Sequence, residues 1–100
     1  MDLYNNRKAI LDFKNHHRLR YGFNAFISVF DENGDIYDGK AYVAIGDDCK
    51  VSIEAKGISD DTWKRLGLHG IYSADYYDFV FLDDTLTIYD GEITIEIKKD

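Results

Sequence analysis

Apolar side chains near the start of the chain have the spacing of an α-helix. Phe13 follows Ile10 by three residues and Ala9 by four, and no Gly or Pro interrupts residues 2–18. This spacing predicts a helix that packs one face against the protein and leaves the other face in solvent. Asp2 is the predicted N-cap, because its carboxylate can accept free backbone N–H groups of the first turn.

From Tyr21 onward the apolar period changes to two, which predicts β-strands. Asn33-Gly34 is a hairpin signal after the first strand, and residues 46–48 supply a second turn. The apolar positions of the three predicted strands are Phe23, Ala25, Ile27 and Val29, then Ala41, Val43 and Ile45, then Cys49, Val51, Ile53 and Ala55.

Matching the apolar faces of these strands gives an expected register. In it Ile45 pairs with Cys49, and the next inward pairs follow two residues farther along each strand. Asp38-Gly39 interrupts the alternation of the second strand, so we expect a β-bulge there.

Residues 58–68 have the signals of a short helix with defined ends. Ser59 is the predicted N-cap, and Gly67 is expected to end the helix in a left-handed conformation. Trp63 would then pack between apolar neighbours at both ends of the helix, which predicts a structural role for it.

The last quarter of the chain has the clearest strand pattern. Two-residue turns at Asp83-Asp84 and Asp90-Gly91 would pair Phe81 with Leu86 and Leu86 with Ile95. The expected buried face of this meander comprises Phe79, Phe81, Leu86, Ile88, Ile93, Ile95 and Ile97.

The predicted fold class is therefore α+β, with the element order αβββαβββ. Antiparallel β-meanders are covered on one face by an N-terminal helix and a short central helix. Residues 1–100 are expected to form a single domain, since 45% hydrophobic residues in a chain of 100 are enough for one core. The pattern leaves open whether the strands form one sheet or two.

The charge balance is acidic. Twelve Lys and Arg residues against 19 Asp and Glu give a net charge of −7, which disfavours direct binding to nucleic acid because phosphate contacts need clustered cations. The bases concentrate in residues 1–20, so the remainder of the chain is strongly acidic. Such acidity serves either solubility or the binding of a basic partner.

The composition also sets expectations about location. The longest apolar run, Ala41 to Ile45, is far shorter than a membrane-spanning helix requires, and no secretory signal is evident. We therefore expect no membrane partner and a cytoplasmic location. The single cysteine, Cys49, allows no intrachain disulfide.

Candidate catalytic and metal-binding residues lack the required patterns. Asp31, Asn33 and Asp35 begin like a calcium loop, but Ile36 and Tyr42 stand where that loop needs Gly and a bidentate Glu. The chain also has no glycine-rich phosphate-binding loop.

Histidine and cysteine give no better support for catalysis. His16 and His17 point in different directions on a helix, and Cys49 falls on an apolar strand face. His69 with a neighbouring Asp would be the catalytic alternative, but no spacing selects that Asp. We expect no enzyme activity, no cofactor and no metal.

Carboxylates in the predicted turns and at the start of the short helix are candidate partner-binding residues. If the two meanders run alike, seven of them meet at one end of the sheet, opposite the basic end of the first helix (His16, His17, Arg18 and Arg20). The seven are Asp31, Glu32, Asp35, Asp60, Asp61, Asp83 and Asp84. Acidic residues also suit turns and helix starts for purely local reasons, so this clustering has a structural alternative.

A second candidate surface lies in residues 71–78, which fit neither the helical nor the strand period. Tyr72, Asp75, Tyr76 and Tyr77 combine large contact area with negative charge, as protein interfaces do. Alternatively, these tyrosines cover the core where no helix does.

These observations favour a small acidic protein inhibitor that occludes a basic, nucleic-acid-acting effector such as a nuclease toxin or a defence protein. In type the chain resembles toxin-neutralising immunity proteins and phage-encoded inhibitors of bacterial defence, including anti-CRISPR proteins that act as nucleic-acid mimics. The alternative is a non-catalytic subunit or adaptor that docks a partner through the Tyr-rich segment or a sheet edge. The sequence does not indicate an oligomeric state.

Overall fold

Seven strands form one antiparallel sheet in the order β4-β3-β2-β1-β7-β6-β5. The computed structural model of the protein describes residues 2–100. The helices are α1 (Leu3–His16) and α2 (Asp60–Arg65). The strands are β1 (Gly22–Asp31), β2 (Gly34–Ile45), β3 (Lys50–Ala55), β4 (Ile71–Ser73), β5 (Asp78–Leu82), β6 (Thr85–Asp90) and β7 (Ile93–Lys99).

The α+β prediction is confirmed, and both meanders belong to a single sheet. The strand that the sequence pattern missed is β4, which pairs with β3 through Val51 and Tyr72. A strand of only three residues is too short to show a period of two. After β4, residues 74–77 connect the two outer strands of the curled sheet.

Helix α1 covers the inner face of the sheet beside β5 and β6. Asp2 caps it as predicted, since its carboxylate accepts the backbone N–H of Asn5 at 3.2 Å. Ala9, Ile10 and Phe13 are buried as expected. They join one continuous core formed by the inward side chains of the strands, Trp63 and Leu68.

The β5–β6 hairpin has the predicted register, with Phe81 opposite Leu86. Asp83 and Asp84 both have left-handed backbone (φ 50° and 66°), as a two-residue hairpin turn of this type requires.

The β6–β7 register differs from the prediction by two residues. Leu86 lies opposite Ile97, and Ile88 lies opposite Ile95. The turn residues are Gly91 and Glu92 because Gly91 (φ 60°) occupies the first turn position, where glycine is favoured. The inward faces still match, since a shift of two residues preserves the facing.

The β2–β3 register is also displaced by two residues, so that Ile45 lies opposite Val51 rather than Cys49. Cys49 instead ends a three-residue loop (residues 47–49) with left-handed backbone (φ 58°), and the Gly46 N–H donates to the Lys50 carbonyl at 3.1 Å. The loop therefore lies one residue later than expected. The predicted bulge at Asp38-Gly39 is wrong as well. The irregularity falls at Ile36, because Val29 faces Tyr37 while Phe30 faces Asp35.

Helix α2 has the predicted ends. The hydroxyl of Ser59 accepts the Thr62 N–H at 3.1 Å, and Gly67 (φ 86°) ends the helix. Trp63 is buried, and its indole N–H donates to the His69 carbonyl at 2.8 Å. The predicted structural role of Trp63 is therefore confirmed.

Candidate functional site

The turns β1–β2 and β6–β7 lie side by side, because β1 and β7 are neighbours and Phe30 pairs with Thr94. This end of the sheet is called the turn end here. Its exposed or half-buried acidic residues are Asp31, Glu32, Asp35, Asp90 and Glu92. Glu92 was absent from the predicted set, since the register of β7 against β1 is not visible in the sequence.

Asp60 and Asp61 are placed toward the same end. The chain leaves β3 beside β2, where the Lys56 N–H donates to the Lys40 carbonyl and the Gly57 N–H donates to the Tyr37 hydroxyl, both before α2 begins. Asp60 and Asp61 then form the exposed first turn of α2, where the positive end of the helix dipole stabilises carboxylates.

Asp83 and Asp84 lie at the opposite end of the sheet, so the prediction that seven carboxylates meet at one end is wrong for these two. Thr85 pairs with Lys98, which places the β5–β6 turn far from Thr94 and the turn end. The cause is the connection through residues 74–77, which leaves β5 running in the same direction as β4 rather than reversing it.

The end of α1 packs against that distant turn. His16 Nε2 lies 2.6 Å from Asp84 Oδ1, and His17 Nε2 lies 3.0 Å from the Asp84 carbonyl oxygen. The two histidines are thus opposite the turn end, as predicted, but beside acidic residues that were expected elsewhere.

The two ends of the sheet differ in how their carboxylates are compensated. At the opposite end, Asp47 lies 3.9 Å from Lys14, Asp48 lies 3.6 Å from Lys50, and Asp84 contacts His16. At the turn end, Asp90 lies 3.9 Å from His69. Within residues 2–100, no ion pair involves Asp31, Glu32, Asp35, Glu92, Asp60 or Asp61. Asp83 at the opposite end also lacks an ion pair among the described residues, so unpaired carboxylates are more numerous at the turn end but not confined to it.

On the outer face of the sheet, acidic residues continue from the turn end along the strands. Asp35, Phe30, Thr94 and Tyr89 form a row across four strands, each opposite the next. The second row contains Asp38, Ser28, Glu96, Thr87 and Val80. The third row changes sign, because Lys40 and Lys98 flank Phe26.

These rows border a shallow concavity of about 790 Å³, called the outer-face hollow here. Its half nearer the turn end is lined by Phe30, Val80, Thr87, Tyr89, Thr94 and Glu96. Its other half is lined by His17, Leu82, Asp83, Asp84, Thr85, Lys98 and Lys99. No prediction from the sequence covers this surface, although the aromatic residues at the outward positions 30 and 89 are a signal for it.

The Tyr-rich segment separates into buried and exposed residues. Tyr72 is 0% exposed, so its assignment to a partner-binding surface is corrected to a core position. Tyr77 is half-buried against the core. Tyr76 is 75% exposed, and Asp75 beside it pairs with Arg7 at 3.2 Å.

Tyr72 belongs to a polar cluster that joins the α2–β4 loop to the end of β6. Its hydroxyl donates to Asp90 Oδ2 and accepts the His69 N–H, both at 3.0 Å. Burial, with a smaller contribution from the Asp90 carboxylate, raises the pKa of Tyr72 well above its ordinary range. Burial likewise raises the pKa of Tyr77.

Asp90 is the carboxylate nearest to His69, at 3.9 Å from Nε2, which is longer than a hydrogen bond. The same Asp90 oxygen already accepts the Tyr72 hydroxyl, so this cluster fastens a loop to a strand. The Cys49 thiol is buried, and burial raises its pKa, which disfavours the reactive thiolate. In residues 2–100, no three His, Cys, Asp or Glu side chains are arranged to hold a metal ion.

No protein-family model, curated protein or solved structure matches this chain. Among the described residues, neither helix has the length and hydropathy needed to cross a membrane. The interpretation of the site therefore depends on its own geometry and charge.

Proposed function

We propose that this protein is a non-catalytic inhibitor that binds a basic protein surface through the turn end and the adjoining half of the outer-face hollow. The observation that carries the proposal is the uneven compensation of charge. At the opposite end, Asp47 and Asp48 lie within 4 Å of Lys14 and Lys50, and Asp84 contacts His16, so that Asp83 is the turn residue without a partner there. Within residues 2–100, Asp31, Glu32, Asp35, Asp60 and Asp61 form no ion pair. Uncompensated carboxylates are free to pair with a partner's Lys and Arg.

The outer-face hollow supports the same proposal through its apolar content. Phe30, Val80 and Tyr89 give the acidic surface an aromatic and aliphatic centre, and such centres supply most of the binding free energy of protein interfaces. Carboxylates around the centre would steer a basic partner and accelerate its association.

Nucleic-acid-acting effectors are the partner class that this surface favours. Their functional surfaces are rich in Lys and Arg because they bind phosphate. A protein with exposed carboxylates can occupy such a surface and block it, as an immunity protein or a phage-encoded anti-defence inhibitor would. Speed of association benefits an inhibitor of a toxic enzyme, and electrostatic steering supplies it.

The adaptor alternative has narrower support. Tyr72 is buried, and the edge of β5 is partly occupied because the Asn6 side chain accepts the Phe79 N–H at 3.0 Å. The exposed side chain of Tyr76 is the observation that still favours it.

Affinity capture with two charge-matched variants tests the proposal. The turn-end variant combines Glu32→Gln with Asp35→Asn, and the control combines Asp47→Asn with Asp83→Asn at the opposite end. Each variant removes two carboxylates, so the net charge is equal. We expect a basic protein to be captured by the wild type and the control and lost by the turn-end variant. Equal retention by both variants would reject the assignment of the surface.

A further inference from the structure

Two aromatic side chains on the outer face of the sheet are held two strands apart by the pairing register. Phe30 on β1 and Tyr89 on β6 both lie opposite Thr94 of the intervening strand β7. With strands about 4.8 Å apart, their backbones are separated by about 10 Å. Thr94 is small, so the two rings border a slot with Thr94 as its floor.

Carboxylates lie next to this slot. Glu96 is in the next row along β7, two residues from Thr94, and Asp35 lies on β2, on the side of Phe30 away from Thr94. Neither carboxylate forms an ion pair within residues 2–100. The slot therefore combines two aromatic side chains with carboxylates that form no ion pair among the described residues.

We infer that this slot binds an arginine side chain of the partner, with the guanidinium between Phe30 and Tyr89. The inference depends on the proposed function, because it names the group that the basic partner presents. A cation within about 6 Å of a ring centroid is attracted to the ring face. Glu96, on the strand that forms the floor, is placed to accept guanidinium N–H groups in charge-assisted hydrogen bonds. Asp35, on the far side of Phe30, adds negative charge at longer range.

Arginine fits this slot better than lysine for physical reasons. The guanidinium is planar and weakly hydrated, so it stacks on aromatic faces while donating hydrogen bonds in its own plane. The ammonium group of lysine is compact and strongly hydrated, so its transfer out of water costs more free energy than that of a guanidinium. The carboxylates exclude an anionic ligand by repulsion.

The matched control is on the same face of the sheet. Phe26 is an exposed aromatic residue of β1, but its cross-strand neighbours are Lys40 and Lys98. The Lys40 ammonium lies 5.8 Å from the Phe26 ring centroid. A partner's arginine would meet like charge there, so Phe26→Leu removes an aromatic side chain without affecting the slot.

The test measures binding of a short peptide of alternating arginine and glycine and of its lysine counterpart, by fluorescence anisotropy at low salt. We expect the arginine peptide to bind roughly three- to tenfold more tightly. Tyr89→Leu removes this preference and Phe26→Leu retains it. Circular dichroism confirms that both variants fold, and Phe30→Leu supplies a second variant of the slot.

Other results overturn the inference in distinguishable ways. Equal affinity for the two peptides, with both affinities lowered by the turn-end variant, rejects the arginine slot and leaves the proposed function standing. Absence of binding by either peptide counts against both. Self-association of the wild type in analytical ultracentrifugation that Tyr89→Leu abolishes would assign the slot to a second copy of the chain and reject the inference.

Discussion

The side chain of Asn6 bonds to Phe79 as a neighbouring strand would. Its Oδ1 accepts the Phe79 N–H at 3.0 Å, and its Nδ2 donates to the Tyr77 carbonyl at 2.8 Å. The Asn6 amide thus bonds to the carbonyl before Asp78 and to the N–H after it, which is the hydrogen-bond pattern of a parallel strand pair. Because Nδ2 also lies 3.2 Å from the Ala74 carbonyl, Asn6 joins α1 to the connection between the outer strands.

Asn6→Ala is expected to destabilise the protein by roughly 2 kcal/mol or more. Asn6 is buried, and its removal leaves the Phe79 N–H and the carbonyls near it without a partner. Urea unfolding followed by circular dichroism measures the change in the free energy of unfolding. Asn15→Ala on the exposed side of α1 is the control and should change it by less than about 0.5 kcal/mol. Equal effects of the two substitutions would mean that the Asn6 bonds contribute nothing specific.

Gly57 gives a second prediction about packing. A Cβ at this position would lie 2.8 Å from the Tyr37 hydroxyl, which already donates to the Lys40 carbonyl and accepts the Gly57 N–H. Since the hydroxyl is held from both sides, Gly57→Ala is expected to lower the free energy of unfolding by about 1–2 kcal/mol.

Gly70→Ala is the matched control, because nothing lies within 4 Å of a Cβ there and the backbone is not left-handed. It should be neutral or slightly stabilising, by up to about 0.5 kcal/mol. A larger loss for Gly70→Ala than for Gly57→Ala in thermal unfolding would contradict this packing.

The raised pKa of Tyr72 predicts a loss of stability at alkaline pH. The folded state holds the Tyr72 proton more tightly than the unfolded chain does, so the stabilising effect is complete below the ordinary tyrosine pKa of about 10. Above that pH the unfolded state releases the proton first, and the free energy of unfolding falls as pH rises. Chemical unfolding at a series of pH values measures the slope.

Tyr72→Phe should flatten this alkaline slope, although it also lowers stability at neutral pH by about 1–2 kcal/mol because the Asp90 and His69 partners are lost. Tyr76→Phe at the exposed position should leave both the slope and the neutral stability unchanged. If Tyr72→Phe keeps the full alkaline slope, another group is responsible for it.

Local signals predicted the helices and the facing of the strands. Asp2, Ser59 and Gly67 mark helix ends through contacts within a few residues, so they are readable without tertiary structure. Two registers were wrong by two residues because each turn lies one residue later than predicted, with its left-handed residue at Cys49 or Gly91. The prediction of which side chains face the core is still correct, because strand side chains alternate with a period of two.

The candidate site was less predictable because it depends on non-local pairing. Glu92 lies at the turn end because β7 pairs with β1. Asp83 lies at the opposite end because β5 runs in the same direction as β4. The slot between Phe30 and Tyr89 requires three strands to be in register. Asn6 gave no sequence signal, since a polar residue on a helix is usually exposed.

The most direct test of the account is the salt dependence of association with the captured partner. Stopped-flow measurements at low and physiological ionic strength compare two double variants with reversed charges. One combines Glu32→Lys and Asp35→Lys at the turn end, and the other combines Asp47→Lys and Asp83→Lys at the opposite end. We expect the wild-type association rate to fall steeply with salt, the rate of the turn-end variant to be much slower and nearly independent of salt, and the opposite-end variant to change less. Identical rates for the two variants would contradict partner binding through the turn end.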